Sequence, residues 1–139
     1  MSLTADQIGR IRASFAAVVP ITDTVAARFY GRLFNLAPDT RPLFGTDLRA
    51  QGRKLFQTLA AVVEHLDALD RITPDVRELG IRHADYGATP RHYQAVGAAL
   101  LDTLRASLGA DFDHATEDAW ADAYALLAEV MQAAAAESR

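Results

Sequence analysis

Apolar positions along this chain recur at three- and four-residue intervals, and no segment alternates with the two-residue period of a strand. Thr4 followed by Gln7 has the form of a capping box, and Ile8, Ile11, Phe15 and Val18 then line one face of a helix that Pro20 closes. Val25, Phe29 and Leu33 continue the pattern over about 22–34, with Ala26, Tyr30 and Phe34 on the adjacent stripe. Pro38 and Pro42 break the chain into a short corner. A longer helix is predicted over about 48–66, with Leu48, Leu55, Leu59, Val62 and Leu66 inward. Thr73-Pro74 reads as a cap and first-turn proline, ahead of a stripe of Val76, Leu79 and His83 that Gly87 ends. Thr89-Pro90 repeats that start before Tyr93, Val96, Leu100 and Leu104, with Gly109 as the stop. Asp113 caps a last helix with Trp120, Tyr124, Leu127 and Met131 inward.

This pattern gives an all-α chain of six or seven helices, with no internal repeat or domain break, and one domain is expected over 1–139. Short connections marked by proline favour crossed helices over a symmetric four-helix bundle. Composition then removes several functions. A net charge of -4 argues against nucleic acid, whose phosphates need clustered Lys and Arg. Without cysteine there is no disulfide, thiolate zinc site, iron–sulfur cluster or cysteine nucleophile. No segment has the layout of a signal peptide or an apolar run of membrane-spanning length, so no membrane partner and a cytoplasmic location are expected. Gly-rich phosphate loops are also missing.

The histidines come next. His83 shares its stripe with Val76 and Leu79 and points into the core, where a lone histidine is more often a hydrogen-bonded core residue than a ligand. His65 and His114 sit among acidic residues at helix ends and read as surface positions, while His92 suits a capping or exposed role. No two histidines share one helix face at ligand spacing, which speaks against zinc. Gln51 is the other unusual residue. It occupies an inward slot four before Leu55, so its amide is either part-exposed or has a polar partner. Tyr30 and Phe44, taken singly, read as packed aromatics.

Taken together, RFYGRLF, RPLF, QGRKL, LGIRHADYG, RHYQAVGAALL and DAWADAYALLAEV run in one order from the second helix to the last. In this the chain resembles single-domain bacterial globins of the flavohaemoglobin-related and neuroglobin-like kind, and the likeness covers nearly all of it. The resemblance implies six to eight crossed helices around a pocket for haem b (iron protoporphyrin IX). It implies His83 as the proximal iron ligand, Phe44 stacked on the porphyrin, Tyr30 and Gln51 facing the open sixth position, and Leu55 capping the distal cavity. Tyr93 is expected behind the haem near His83, and Lys54, the only lysine, near a propionate or simply exposed.

One position departs from that family. The acidic residue that completes a proximal relay with tyrosine and histidine falls, by alignment on Trp120, at Ala135, while Glu137 lies roughly 200° further round the helix. Less electron density is then pushed to iron, which weakens the case for peroxidase-type or fast dioxygenase chemistry. The expected function is binding of dioxygen and other diatomics such as nitric oxide, with oxidation of nitric oxide to nitrate as a further expectation. A separate reductase is expected to supply electrons for it, because no flavin or nicotinamide domain follows the last helix. A gas or redox sensor acting through a partner is the alternative, and a haem-free interaction domain is disfavoured by the polar pair Tyr30 and Gln51.

Overall fold

Capping chemistry sets most helix boundaries in the computed structural model, which describes residues 3–138. The order is α1 Ala5–Val18, α2 Thr22–Leu36, α3 Leu48–Glu64, α4 Thr73–Asp85, α5 Pro90–Leu108 and α6 His114–Glu137. Short 3-10 turns lie at Val19–Ile21, Pro38–Leu43, Leu69–Arg71 and Gly109–Asp111, and there is no strand among the described residues. Thr4 and Gln7 form the expected reciprocal box, and Asp113 accepts from the Thr116 amide to start α6. Gly109, with a φ of 58°, takes the left-handed step that ends α5.

One start signal works differently from its sequence reading. Thr73 is the first residue inside α4, not its cap, and its hydroxyl donates to Leu69 O at 2.9 Å instead of accepting from the new helix. The preceding turn, Leu69–Arg71, supplies that carbonyl and leads directly into α4.

The helices enclose two apolar clusters. In the larger one, Ile11, Phe15 and Val18 of α1 meet Val62 and Val63 of α3, Leu104 of α5, Trp120 of α6 and Phe112, which follows the Gly109–Asp111 turn. The buried Trp120 indole N–H donates to Ser14 Oγ at 2.8 Å, and that hydroxyl donates on to Arg10 O, so both side chains are satisfied. The smaller cluster comprises Ala26, Phe29, Tyr30, Leu33 and Ala99, and the side chains around it (Phe34, Phe44, Leu48, Leu55, Val96) are only half-buried.

Helix crossings are set by glycine. A Cβ at Gly52 would stand 2.8 Å from Ala26 Cβ, so α2 and α3 touch almost backbone to backbone there. At Gly80 a Cβ would run into the main chain of Met131, and at Gly97 it would lie 2.8 Å from Tyr124 Cε2. Helical glycine is unfavourable by about 1 kcal/mol relative to alanine, and these contacts explain its use. Gly80→Ala is therefore expected to destabilise by about 2–3 kcal/mol, since a backbone has to move. Gly9 and Gly31 have open space around a Cβ, and their replacement by alanine is expected to stabilise by about 0.5–1 kcal/mol. Urea midpoints of the three variants check the contrast.

Candidate functional site

Tyr30 is the centre of the half-buried cluster. Its ring lies edge-on to Phe29 at 5.3 Å and to Phe44 at 5.2 Å, and stacks on Phe34 at 5.9 Å. Phe44 is brought there by the Pro38–Leu43 turn, which it ends in an extended conformation, its amide donating to Arg41 O. Arg41 covers the outer side, its guanidinium 5.2 Å from the Phe34 ring centre. Tyr30 is only 4% exposed, and its hydroxyl makes no hydrogen bond among the described residues. Burial pushes its pKa up to about 12, so the phenol stays protonated at neutral pH.

The crossing at Gly52 delivers Gln51 and Leu55 beside this group, because they flank the glycine on α3. Leu55 packs on the Tyr30 cluster. The Gln51 amide turns toward the corner: its Nε2 lies 3.7 Å from where a Gly45 Cβ would be. Lys54 is exposed and forms no ion pair among the described residues. Its backbone carbonyl accepts from Thr58.

On the other wall, His83 sits in the last turn of α4, half-buried. Its Nδ1 lies 2.8 Å from Leu79 O. A carbonyl only accepts, so Nδ1 carries the proton and the Nε2 lone pair is left without a protein partner among the described residues. The Tyr93 ring stands 6.4 Å from the imidazole, tilted by 33°. Burial raises the Tyr93 pKa. Leu79, one turn before His83, borders a cleft of about 310 Å³ between α3 and α4, with Thr58, Val62, Val76 and Arg82 on its other sides.

Two arrangements were beyond the sequence reading. Tyr124 reaches across from α6 to donate to the Tyr93 carbonyl at 2.6 Å, and burial, with the neighbouring Tyr93 phenol, raises its own pKa. His92 is buried as well as capping, whereas the sequence suggested a capping or exposed position: its Nε2 lies 2.7 Å from Asp39 Oδ2. The spacing Thr89–His92, three residues as in a capping box, was the available signal. Ala135 is buried on α6, and Glu137 pairs with Arg77 of α4. Arg77 precedes His83 by six residues, about 9 Å along a helix axis. No group of three potential metal-binding side chains occurs among the described residues.

The chain is similar to known proteins over most of its length. The family model described as Globin matches residues 27–131. A flavohemoprotein of Vibrio cholerae is 32% identical over 131 residues, covering 92% of this chain and 33% of that protein. One from Halalkalibacterium halodurans is 34% identical over 124 residues, covering 82% of this chain and 29% of the relative. The chain thus spans about a third of the length of these relatives. Among solved structures, a bacterial globin from Campylobacter jejuni superimposes with a TM-score of 0.84 at 25% identity, covering 97% of this chain and 98% of its own. With three quarters of its length matched by that model and its helices overlaid on a bacterial globin, the chain belongs to the globin family.

Proposed function

We propose that this globin holds haem b through His83 and binds dioxygen and other diatomic gases on the opposite, Tyr30 side. The observation that carries the reading is the state of His83. A proton fixed on Nδ1 by Leu79 O leaves Nε2 as a lone-pair donor without a protein partner, as a metal-ligating imidazole requires. Membership of the globin family implies a haem cofactor, and the residues present fit one. Besides that donor, the inner faces of α3, α4 and α5 present Leu48, Leu55, Leu79 and Val96, apolar side chains that the protein itself covers only in part. When bound, haem would supply an iron centre able to take a diatomic gas, with His83 as its protein donor.

The chain's own residues then divide the work. Phe44, braced by Tyr30 and Phe34, would be the aromatic that packs against the bound haem. Leu55 keeps water out, and Tyr30 and Gln51 offer an O–H and an N–H without net charge to a polar diatomic. Tyr93, pinned through its carbonyl by Tyr124, backs the His83 ring. Lys54 is free to pair with a propionate at the rim. Oxidation of nitric oxide consumes one dioxygen and one electron per nitrate formed, and a separate electron donor, such as a flavin reductase in the cytoplasm, completes that reading.

Purified protein supplied with haem is expected to show a Soret band that His83→Ala abolishes; failure of the wild type to take up haem would sink the proposal. Tyr30→Phe and Gln51→Leu are each expected to speed oxygen release roughly fivefold, the equivalent of one hydrogen bond of about 1 kcal/mol. Stopped-flow oxygen displacement reads this, and unchanged rates in both would remove the distal assignment. Tyr30 also predicts a pH signature. A phenol whose folded pKa is raised to about 12 stabilises the fold fully below pH ~10 and loses that contribution as pH rises toward 12. Absorbance titration at alkaline pH should show one late-ionising phenol fewer in Tyr30→Phe.

A further inference from the structure

The geometry points to a positioning role for His92 and Asp39: the pair clasps the turn that carries Phe44 to the helix that carries Tyr93, and so holds the two walls of the pocket in register. Both ring nitrogens of His92 are committed. The Thr89 amide donates to Nδ1 at 3.1 Å, and a nitrogen that accepts carries no proton. The neutral ring therefore has its proton on Nε2, which donates to Asp39 Oδ2 at 2.7 Å. The imidazole is nearly enclosed, its side chain 11% exposed. This bond is the main reason the Asp39 carboxyl stays below the usual carboxylate range, with Arg91 at 3.8 Å adding a weaker attraction.

Capping alone does not account for the residue. A capping box uses only the Nδ1 contact, which glutamate or glutamine at the same position supplies. The Nε2 bond, between residues 53 apart in sequence, adds nothing to the start of α5. It matters to the turn Pro38–Leu43. The other hydrogen bonds of that turn are local: Thr40 to Ala37, Phe44 to Arg41, Arg41 to Gly45. Among the described residues, its polar links to distant parts of the chain both end on Asp39, from His92 and from Arg91. Beyond the clasp, apolar packing takes over. Val96, one helical turn after His92, packs against the cluster of Tyr30 and Phe44. Tyr93, the next residue, stands against His83.

The inference rests on the proposed haem site only for its ligand readouts, so two arms test it. In haem-free protein near neutral pH, amide exchange across residues 40–45 reports the turn directly. In haem-loaded protein, transfer of haem to excess apomyoglobin and the oxygen dissociation rate report the pocket. His92→Glu keeps a capping acceptor but sets two carboxylates together. It is expected to raise exchange in the turn, haem transfer and oxygen release each on the order of tenfold, as loss of a charge-assisted bond implies. His92→Gln, whose amide accepts from Thr89 and donates to Asp39, should stay within about twofold of wild type. The swap His92→Glu with Asp39→Lys should recover most of the loss, because it restores an opposite-charge pair. Asp113→Ala, which removes the α6 cap and lowers overall stability by about 1 kcal/mol, should leave all three rates alone. Wild-type rates in His92→Glu, no recovery in the swap, or equal effects in Asp113→Ala overturn the clasp. If the wild type takes up no haem, the haem reading fails on its own, and the exchange arm still decides the clasp.

Discussion

Everything on the side that carries His83 depends on a contact made by a missing side chain. At Gly80 the backbone of α4 lies against the backbone of α6 at Met131, closer than any Cβ permits. The helix has little else to hold it: Val76 and Gly80 are its only fully buried residues. His83 follows Gly80 by three residues, less than one turn, so its position is inherited from that crossing. Gly52 plays the same part for the wall around Tyr30, bringing α3 against Ala26 and so setting Gln51 and Leu55 beside that ring. Both walls are thus placed by rigid elements in close contact, which a precise site requires.

The electronic character of the site follows from what surrounds His83. Its Nδ1–H meets a peptide carbonyl, a weaker acceptor than a carboxylate, and so polarises the ring less. Position 135 offers only a buried methyl group, and the nearby acid, Glu137, is already paired with Arg77. Tyr93 meets the ring face at a tilt and is itself held by Tyr124 through its carbonyl, an arrangement that orients more than it charges. In the proposed role of iron ligand, a histidine held in this way suits gas binding better than cleavage of an oxygen–oxygen bond.

Much of this was legible in the sequence, for identifiable reasons. Periodicity marked the faces of all six helices, and Thr4, Asp113 and Gly109 acted where their chemistry placed them. Thr73 did not, because a hydroxyl beside a preceding turn has a second acceptor, Leu69 O, that a local pattern cannot reveal. The membership of Tyr30, Phe44 and Leu55 in one cluster followed from family resemblance, since each residue alone reads as ordinary packing. Long-range polar links were not legible at all. The Tyr124–Tyr93 and His92–Asp39 bonds join residues 31 and 53 apart, and no spacing rule connects them. The glycine-set crossings were not legible either, because Gly9 and Gly31 are helical glycines with open space around them while Gly52, Gly80 and Gly97 are not.

The two apolar clusters divide the molecule unequally. The one around Ile11, Phe15 and Trp120 has twelve buried members, drawn from all the helices but α4, whereas the one around Tyr30 has five, and half-covered side chains ring both. Folding stability is therefore concentrated at the end away from the pocket. Residues such as Gln51, Leu55 and Lys54 lie where substitution removes little buried area. Natural variation there meets weak resistance from the fold, so ligand preference in such a chain is able to drift from lineage to lineage while the scaffold stays the same.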